Sequence, residues 1–320
     1  MDMSTSTSDE HLSGYQQRDW NIVDYQMYQD ARTGLSFRGP KPNVEAGQYA
    51  TCFGAAQTLG CFCEHPFPAL LQSSLGLEFV NFGYGGAGPR FYLRHPELIE
   101  IANRGRFAIV QVMSGRSEDN QLFQSNGLEY LVDRASGEQL SADEAYRRLL
   151  ERHRIKGLPG NIGRAVRVFH APKDVREVLS ETRRNWVESY LELFSKLHVP
   201  IILLWFSKRS PGLNRSGKVA WWWQRYDNVH AMFGKFPQLI NGQLMRQVSG
   251  KADHYVECIS SRGSPQPLVD RFTGKLTTID TSDDRPDFKD VWTHNAYYPS
   301  PEMHEDAARC LEPICRKLLA

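Results

Sequence analysis

The segment that decides the fold runs from Gln48 to Gly60 and reads QYATCFGAAQTLG. Its first part, QYATCF, is a short apolar run that predicts a buried strand. Its second part, GAAQTLG, predicts a glycine turn that leads into a helix. A strand, a sharp turn and a helix in this order present the turn residues at the strand end, where a nucleophile is often held. Here the turn offers two methyl groups, those of Ala55 and Ala56, in place of a reactive atom.

Five apolar runs, this one included, predict the strands of one sheet. They lack polar alternation, as expected when helices cover both faces of a parallel sheet. The predicted strands are Tyr49–Phe53, Glu78–Phe82, Phe107–Met113, Pro200–Ser207 and His254–Ser260. Helical patterns lie between and after them, at Phe67–Leu75, Phe91–Asn103, Lys173–Leu197, Leu239–Val248 and Glu302–Leu319. This alternation predicts an α/β fold with a doubly wound, five-stranded parallel sheet and helices on both faces, in which ligands bind beyond the carboxyl ends of the strands.

The chain predicts one domain with two insertions. Residues 1–15 are polar and rich in serine and threonine, which predicts a disordered tail. Residues 16–320 form the predicted single α/β domain, with inserted lobes at about 114–172 and about 208–234.

One internal echo links an insertion to the C-terminal part of the chain. Leu131–Gly137 reads LVDRASG, and Leu268–Gly274 reads LVDRFTG. Each segment predicts a strand that enters a tight turn and a hairpin. The two hairpins either share local turn chemistry or are arms that pair with each other or across a dimer.

Composition disfavours several classes of protein. The 320 residues carry 38 Lys and Arg against 37 Asp and Glu, so no global field draws the chain to nucleic acid or to an anionic membrane. The longest apolar run, Ile201–Phe206, is too short to span a bilayer, and the N-terminus lacks the pattern of a secretory signal. Six cysteines without framework spacing predict reduced thiols in a cytoplasmic protein. The cysteines and histidines lack zinc spacing, so we expect neither a metal nor a cofactor.

Glycine-containing loops follow the first three predicted strands. After GAAQTLG comes Asn81–Pro89, which reads NFGYGGAGP, and after the third strand comes Met113–Ser117, which reads MSGRS. A last block, His294–His304, reads HNAYYPSPEMH. In order and placement these blocks resemble those of the SGNH or GDSL-like hydrolase superfamily, whose first block reads GDSxTxG. The resemblance implies a flavodoxin-like α/β sheet of five parallel strands. The pair GAAQT and GGAGP also resembles a bacterial family, and that resemblance implies no activity.

The superfamily resemblance holds for some chemical positions and fails at others. GAAQTLG matches the first block at Gly54, Thr58 and Gly60. Ala55 and Ala56 stand where the superfamily carries an aspartate and its nucleophilic serine. Without that hydroxyl the usual acyl-serine cannot form at this point.

The other blocks depart in the same way. The resemblance assigns Gly86 the role of a backbone donor to an oxyanion hole. The superfamily carries an asparagine in its third block, and in this sequence that position falls near Gly115 or Arg116, so the asparagine is absent. Aligned on Pro299, the last block has Asn295 and Tyr298 at the catalytic aspartate and histidine positions. The resemblance therefore implies a member with a degenerate triad.

We expect a binding cradle at the strand ends whose nucleophile is absent. Glycines let backbone N–H groups approach a ligand, although they equally serve a tight turn. Arginine forks suit carboxylate, phosphate or sulfate, although most arginines make surface ion pairs. The expected partner is a small anionic or carbohydrate-like molecule, which is bound or is acted on by group transfer. The predicted contacts are Gly54, Gln57, Thr58, Gly86, Gly88, Arg90, Arg116, Arg209 and Tyr298.

Two other functions stay open at this point. Ser114 with His294 or His304 is a candidate relocated catalytic set for an active esterase or acyltransferase. Ala220–Arg225, AWWWQR, predicts either the insertion's own core or a surface that binds sugars or a protein partner. Its basic neighbours also fit a nucleic-acid stacking platform, which the near-neutral chain disfavours. The sequence leaves a homo-oligomer open.

Overall fold

The computed structural model describes residues 14–44, 47–152, 172–212, 228–280 and 291–320. In the first half of the chain the elements are α1 (Gly14–Asp19), β1 (Tyr28–Gln29), β2 (Ser36–Phe37), β3 (Tyr49–Gly54), α2 (Ala56–Leu59), α3 (Phe67–Leu75), β4 (Glu78–Gly83), α4 (Pro89–Leu93), α5 (Pro96–Asn103), β5 (Ala108–Gln111), a 3-10 helix (Gly115–Ser117), β6 (Phe123–Ser125), β7 (Tyr130–Asp133), β8 (Gln139–Ser141) and α6 (Ala142–Glu151). In the second half they are α7 (Lys173–Lys196), β9 (Ile201–Ser207), α8 (Val229–Phe233), α9 (Gly242–Ser249), β10 (His254–Ile259), β11 (Gln266–Pro267), β12 (Ile279–Asp280), β13 (Val291–Trp292), β14 (His294–Asn295) and α10 (Pro301–Leu319).

The main sheet has five strands in the order β10-β9-β5-β3-β4. Numbered along the chain and read from β4, this order is 2-1-3-4-5, which is that of the flavodoxin-like doubly wound sheet. β3 pairs with β4, β5 with β9 and β9 with β10, each in parallel. The predicted α/β class and five-stranded parallel sheet are therefore confirmed.

Four of the five strands are buried along nearly their whole length, as parallel strands covered on both faces should be. The edge strand β10 differs, because Glu257 and Ile259 are exposed while Val256 and Cys258 are buried. The expectation that none of the five runs alternates is therefore wrong for this strand.

The helix predicted at Phe91–Asn103 is wrong as one element. It is two helices, α4 and α5, with Pro96 at the start of the second. A residue before proline avoids the helical region, and His95 has φ −124° and ψ 71°. The helix predicted from Leu239 begins later, because the side chain of Asn241 accepts hydrogen bonds from the N–H groups of Gln243 and Leu244.

Contacts divide the chain into two compact units. Unit 1 contains the residues up to Gly85 and those from Ser260 onward, and unit 2 contains Gly86–Ile259. In unit 1, α3 packs against α10. In unit 2, α4 and α9 pack against α7. The single domain with insertions remains a prediction.

The described parts of the two predicted insertions share one core in unit 2. β6, β7 and β8 form a three-stranded antiparallel sheet in the first insertion. Phe123, Leu131 and Tyr146 from this insertion belong to the same buried cluster as Met232 and Phe233 from the second. The tryptophans of Ala220–Arg225 lie outside the described residues, as does most of the predicted tail.

The two LVDR segments form the same turn. In one, the N–H of Gly137 donates to the carbonyl of Asp133; in the other, the N–H of Gly274 donates to that of Asp270, each at 2.8 Å. Both glycines are left-handed, with φ 72° and 67°. β7 pairs with β6 and β8, whereas Val269 bridges Leu276 within its own hairpin. The two segments therefore share their turn chemistry, and the described strands do not pair one hairpin with the other, while pairing across a dimer stays a prediction.

Two further surveys cover the described residues alone. Within them, no helix combines the length and hydropathy needed to cross a bilayer. Within the same residues, no group of three or more His, Cys, Asp or Glu side chains could hold a metal ion. All six cysteines are free thiols, and only Cys310 is exposed.

Candidate functional site

The first strand-end loop of unit 1 is closed by apolar packing. Ala55 is the extended residue before α2, and Gly60 ends this helix in the left-handed conformation with φ 85°. Ala55 and Ala56 are buried, and Ala56 belongs to a cluster that includes Tyr25, Phe62 and Tyr298. The position that the resemblance assigns to a nucleophile is therefore a packing contact.

An N-terminal segment contributes an enclosed ion pair to this cluster. Arg18 Nε lies 2.6 Å from Asp19 Oδ1, and the hydroxyl of Tyr25 donates to Asp19 Oδ2 at 2.7 Å. The guanidinium carbon of Arg18 lies 4.9, 5.1 and 5.9 Å from the ring centroids of Tyr15, Phe62 and Tyr298. We call these residues, Tyr15, Arg18, Asp19, Tyr25, Phe62 and Tyr298, the aromatic cluster.

Tyr15 also explains one glycine of NFGYGGAGP. A Cβ atom on Gly85 would lie 2.0 Å from Cε2 of Tyr15, so this glycine is needed for contact with a side chain of the protein. Gly83 is equally constrained, because a Cβ there would lie 2.1 Å from the backbone nitrogen of Leu59. These two glycines thus serve packing within unit 1.

The predicted contacts Gly54, Gln57 and Thr58 all lie in or beside this loop. The carbonyl of Gly54 accepts from the N–H of Tyr84, and the carbonyl of Thr58 accepts from the side chain of Asn81. Gln57 is buried, and its Oε1 has no hydrogen-bond partner among the described residues. Thr58 does not cap the following helix, since α3 begins after Pro66.

The two candidate histidines have different environments. His304 is fully buried, its Nδ1 accepts from the N–H of Phe67 at 3.2 Å, and burial together with the charge of Arg38 lowers its pKa to about 3. It therefore stays neutral near pH 7. His294 is exposed, with its Nδ1 3.0 Å from the hydroxyl of Thr293.

The positions aligned with the catalytic aspartate and histidine form a turn. Asn295 accepts hydrogen bonds from the N–H groups of Tyr297 and Tyr298 through Oδ1 and donates to the carbonyl of Tyr298. Burial raises the pKa of Tyr298, whose ring lies in the aromatic cluster. Of the predicted site residues in unit 1, Tyr298 therefore lies in the same buried cluster as Ala56 of the GAAQTLG loop.

In unit 2, Ser114 and Arg116 have structural partners. The hydroxyl of Ser114 is buried and accepts from the N–H of Arg116, which caps the 3-10 helix. Arg116 pairs with Glu129 at 2.5 Å and with Asp143 at 2.9 Å. Ser114 is thus committed to a cap, and the guanidinium of Arg116 is held by two carboxylates.

Arg209 is also held by the protein. Its Nη2 donates to the carbonyls of Pro237 and Ile240 at 2.6 and 2.7 Å, and its Nε donates to that of Lys235 at 3.1 Å. Burial lowers its pKa to about 10, and its guanidinium lies over the ring of Trp205. This arginine ties the end of β9 to residues 235–240, which follow the second predicted insertion.

Gly86 and Gly88 begin the part of the glycine-rich loop that belongs to unit 2. Gly86 has φ 74°, which favours glycine, and it is half-buried. A Cβ on Gly88 would lie 2.1 Å from the hydroxyl of Ser117, and its N–H donates to Gly127. For Gly88, close packing of two loops explains the glycine.

Arg90 differs from the other two predicted arginines. Its Nε donates to Glu118 Oε2 at 3.2 Å, and its Nη1 lies 3.9 Å from Asp119 Oδ2. Its side chain is 30% exposed, and neither Nη group donates a hydrogen bond to the described residues. The guanidinium is therefore anchored on one side and presents donors on the other.

Glu118 is a functional candidate that sequence reasoning missed. It is fully buried, accepts from the hydroxyl of Ser189 at 2.9 Å, and has no partner for Oε1 among the described residues. Burial raises its pKa to about 8, against the opposing effects of Arg90 and Ser189. A carboxyl group of this kind can hold or release a proton near neutral pH. It lies 28 residues from Arg90 along the chain, so local sequence carries no signal for the pair.

Two kinds of comparison found similar proteins: a family model matches part of the sequence, and solved structures match the fold of the backbone. The model of a family described as a domain of unknown function (DUF6473) matches residues 14–126. No curated protein matches the sequence. Similar solved structures include an acetyl xylan esterase from the rumen bacterium Butyrivibrio proteoclasticus, at 10% identity over 90% of this chain and 67% of that chain, with a TM-score of 0.41.

Two other similar structures come from bacteria of different groups. A GDSL-like lipase from Bacteroides thetaiotaomicron has 10% identity over 86% of this chain and 91% of that chain, with a TM-score of 0.35. A catalytic mutant of an acetylxylan esterase from Geobacillus stearothermophilus has 13% identity over 85% of this chain and 94% of that chain, with the same TM-score of 0.35.

Proposed function

We propose that this protein binds a small anionic ligand through Arg90 and the strand-end loops of unit 2, and that it uses no acyl-serine. The observation that supports the proposal is the one-sided anchoring of Arg90. A guanidinium that is fixed at Nε, and whose Nη groups make only a 3.9 Å contact with Asp119, is preorganised for a carboxylate, phosphate or sulfate, because less side-chain freedom is lost on binding.

The buried carboxyl group beneath Arg90 favours an anion further. Because the pKa of Glu118 is raised to about 8, a large share of this group is protonated near pH 7. The positive charge of Arg90 is then balanced mainly by Asp119, at a distance of 3.9 Å. Gly86 lies four residues before Arg90 and supplies a half-buried backbone N–H that makes no hydrogen bond with the described residues.

Thermal unfolding in the presence of a ligand panel tests the proposal. The panel contains nucleotides, sugar phosphates, sulfate donors, acyl carriers and acetylated sugars. A ligand at a hundred times its dissociation constant adds about 2.7 kcal/mol to the free energy of unfolding, which gives a measurable shift. We expect a shift from an anionic class and none from neutral acetylated sugars.

Matched variants locate the binding site. Arg90→Gln should abolish the shift, whereas Arg94→Gln, an exposed arginine that directly follows α4, should keep it. The shift should also survive in Ala56→Gly, because no acyl-serine position is involved. An equal shift in Arg90→Gln and wild type, or no shift from any anionic ligand, contradicts the proposal.

A further inference from the structure

A cavity of about 150 Å³ lies in unit 1, beside β4 and α3. Its lining comes from three places: the segment Arg38–Pro42, helix α3 with the prolines before and within it, and the first half of β4. An engineered cavity of about this volume admits a molecule the size of benzene. No residue of the anion site proposed for unit 2 lines this cavity.

The inner wall of this cavity carries a buried cation. Arg38 is 6% exposed, and its guanidinium donates to the carbonyls of Leu59, Gly60 and Glu64 at 3.1, 3.0 and 2.7 Å. Three of the five N–H donors of a guanidinium are thus used, and two are left. Arg38 makes no ion pair with any described residue. Burial lowers its pKa, against the smaller opposing effect of the Glu64 charge.

The same cavity is lined by an anion that has no cation. Glu78 is half-buried at the start of β4, and its only hydrogen bond among the described residues comes from Gln72 at 3.4 Å. Burial raises the pKa of Glu78. Arg38 and Glu78 therefore line one cavity with opposite charges, and neither makes a contact ion pair with the described residues.

The rest of the lining combines proline rings with the polar side chains of Gln72, Ser73 and Asn81. Four prolines, Pro40, Pro42, Pro66 and Pro68, contribute ring surface and have no N–H group. Buried charges are normally paired, and an opposite charge on a ligand can supply the missing partner. Two unpaired charges of opposite sign select a ligand that itself carries both.

We propose that this cavity binds a small zwitterionic amino acid, with its carboxylate toward Arg38 and its ammonium group toward Glu78. The burial of the two residues sets the orientation, since the carboxylate meets the deeply buried guanidinium while the ammonium group stays near solvent. The volume restricts the side chain to a small one. This inference does not depend on the function proposed for unit 2.

Calorimetric titration of the full chain with L-alanine, N-acetyl-L-alanine and L-alaninamide tests the two charges separately. The first analogue lacks the ammonium group, and the second lacks the carboxylate. We expect L-alanine to bind and each analogue to bind at least about tenfold more weakly, because each loses one ion pair. Equal affinity for L-alanine and either analogue, or no heat with L-alanine, overturns the proposal.

Two neighbouring variants on helix α3 test whether the ligand lies in the cavity. Ser73 and Ser74 are both exposed on α3, but only Ser73 lines the cavity. We expect Ser73→Phe to weaken L-alanine binding about tenfold or more and Ser74→Phe to leave it unchanged. Unchanged binding in Ser73→Phe places the ligand elsewhere and overturns the proposal.

A charge variant that leaves the Arg38 contacts intact completes the test. Glu78→Gln should remove the preference for L-alanine over N-acetyl-L-alanine, and circular dichroism checks that the variant is folded. A preference that persists in Glu78→Gln contradicts the role of Glu78. Arg38→Gln is the weaker choice, because Arg38 also holds three carbonyls of the loop after α2.

Discussion

Each unit contains a buried carboxylate paired with an arginine at its strand-end loops, and the two pairs differ in how fully they are satisfied. In unit 1, Arg18 meets both oxygens of Asp19, at 2.6 and 2.9 Å, and Tyr25 donates a further hydrogen bond. In unit 2, Arg90 makes one 3.2 Å hydrogen bond to Glu118, whose other oxygen has no partner among the described residues. A saturated pair has a structural role, whereas an unsaturated pair keeps capacity for a ligand.

Solvent access follows the same division. The side chain of Arg18 is 13% exposed and lies among three aromatic rings, while that of Arg90 is 30% exposed. Ala55 and Ala56, on the unit 1 loop, complete an apolar contact. The loop whose sequence most resembles a catalytic block is therefore the more closed of the two.

Among the substitutions that test this comparison, Asp19→Ala should have the largest effect on the free energy of unfolding. It leaves Arg18 without its carboxylate and Tyr25 without an acceptor, so we expect a loss of about 3–5 kcal/mol in the free energy of unfolding. Urea denaturation measures it. Asp24→Ala is the control, because Asp24 is only half-buried and its ion pair with Arg271 is 3.6 Å long. A loss no larger than that of the control means that the pair contributes little.

A glycine substitution in each unit has an intermediate effect. Gly85→Ala drives a Cβ into the ring of Tyr15 and should cost about 1–3 kcal/mol, since a packed ring cannot turn away. Gly88→Ala should cost less, because the hydroxyl of Ser117 can rotate. Combining Gly85→Ala with Tyr15→Ala should then add almost nothing to Tyr15→Ala alone. Additive losses in this double-mutant cycle mean that the ring contact is not the cause.

The last expected effect is a pH dependence that distinguishes Glu118 from an ordinary glutamate. Its folded pKa of about 8 lies above the usual 4.5, so the folded state holds a proton that the unfolded state releases. That stabilisation is fully present below about pH 4.5 and is lost as the pH rises through 8, by at most about 1.4 kcal/mol per pH unit. Glu118→Gln should lack this loss when unfolding is followed at pH 5.5, 7 and 8.5.

A control on the same unit sharpens the pH measurement. Glu100→Gln changes an exposed glutamate of α5 and should leave the pH profile of wild type unaltered. If wild type and Glu118→Gln differ by the same amount at all three pH values, the burial of Glu118 does not shift its titration. The comparison between the two ion pairs would then rest on geometry alone.

Much of the fold could be predicted because it depends on local patterns. The helix Phe67–Leu75 is confirmed at both ends, since Pro66 precedes it and Gly76 ends it in the left-handed conformation. The strand Tyr49–Gly54 differs from its prediction by one residue. The helix predicted across His95 and Pro96 is wrong, because the backbone restriction before proline outweighs the apolar period.

The candidate site could be predicted only in part. The sequence identified Arg90, Arg116 and Arg209 as equal candidates, and nothing local separates them. Their contact partners in the structure separate them. Two carboxylates hold Arg116, backbone carbonyls hold Arg209, and a buried carboxyl group holds one side of Arg90. Whether these residues bind a ligand stays a prediction.

The sequence by itself determined the five strands and most of the main helices, because these follow from short-range periodicity, and the resemblance of GAAQTLG to GDSxTxG identified the alanine in place of a serine. Only the tertiary structure decided which charges are satisfied. Glu118 meets Arg90 from 28 residues away, and Arg38 and Glu78 line one cavity from different elements. Burial and charge pairing are properties of the folded chain, since they depend on which distant residues exclude water from a given side chain.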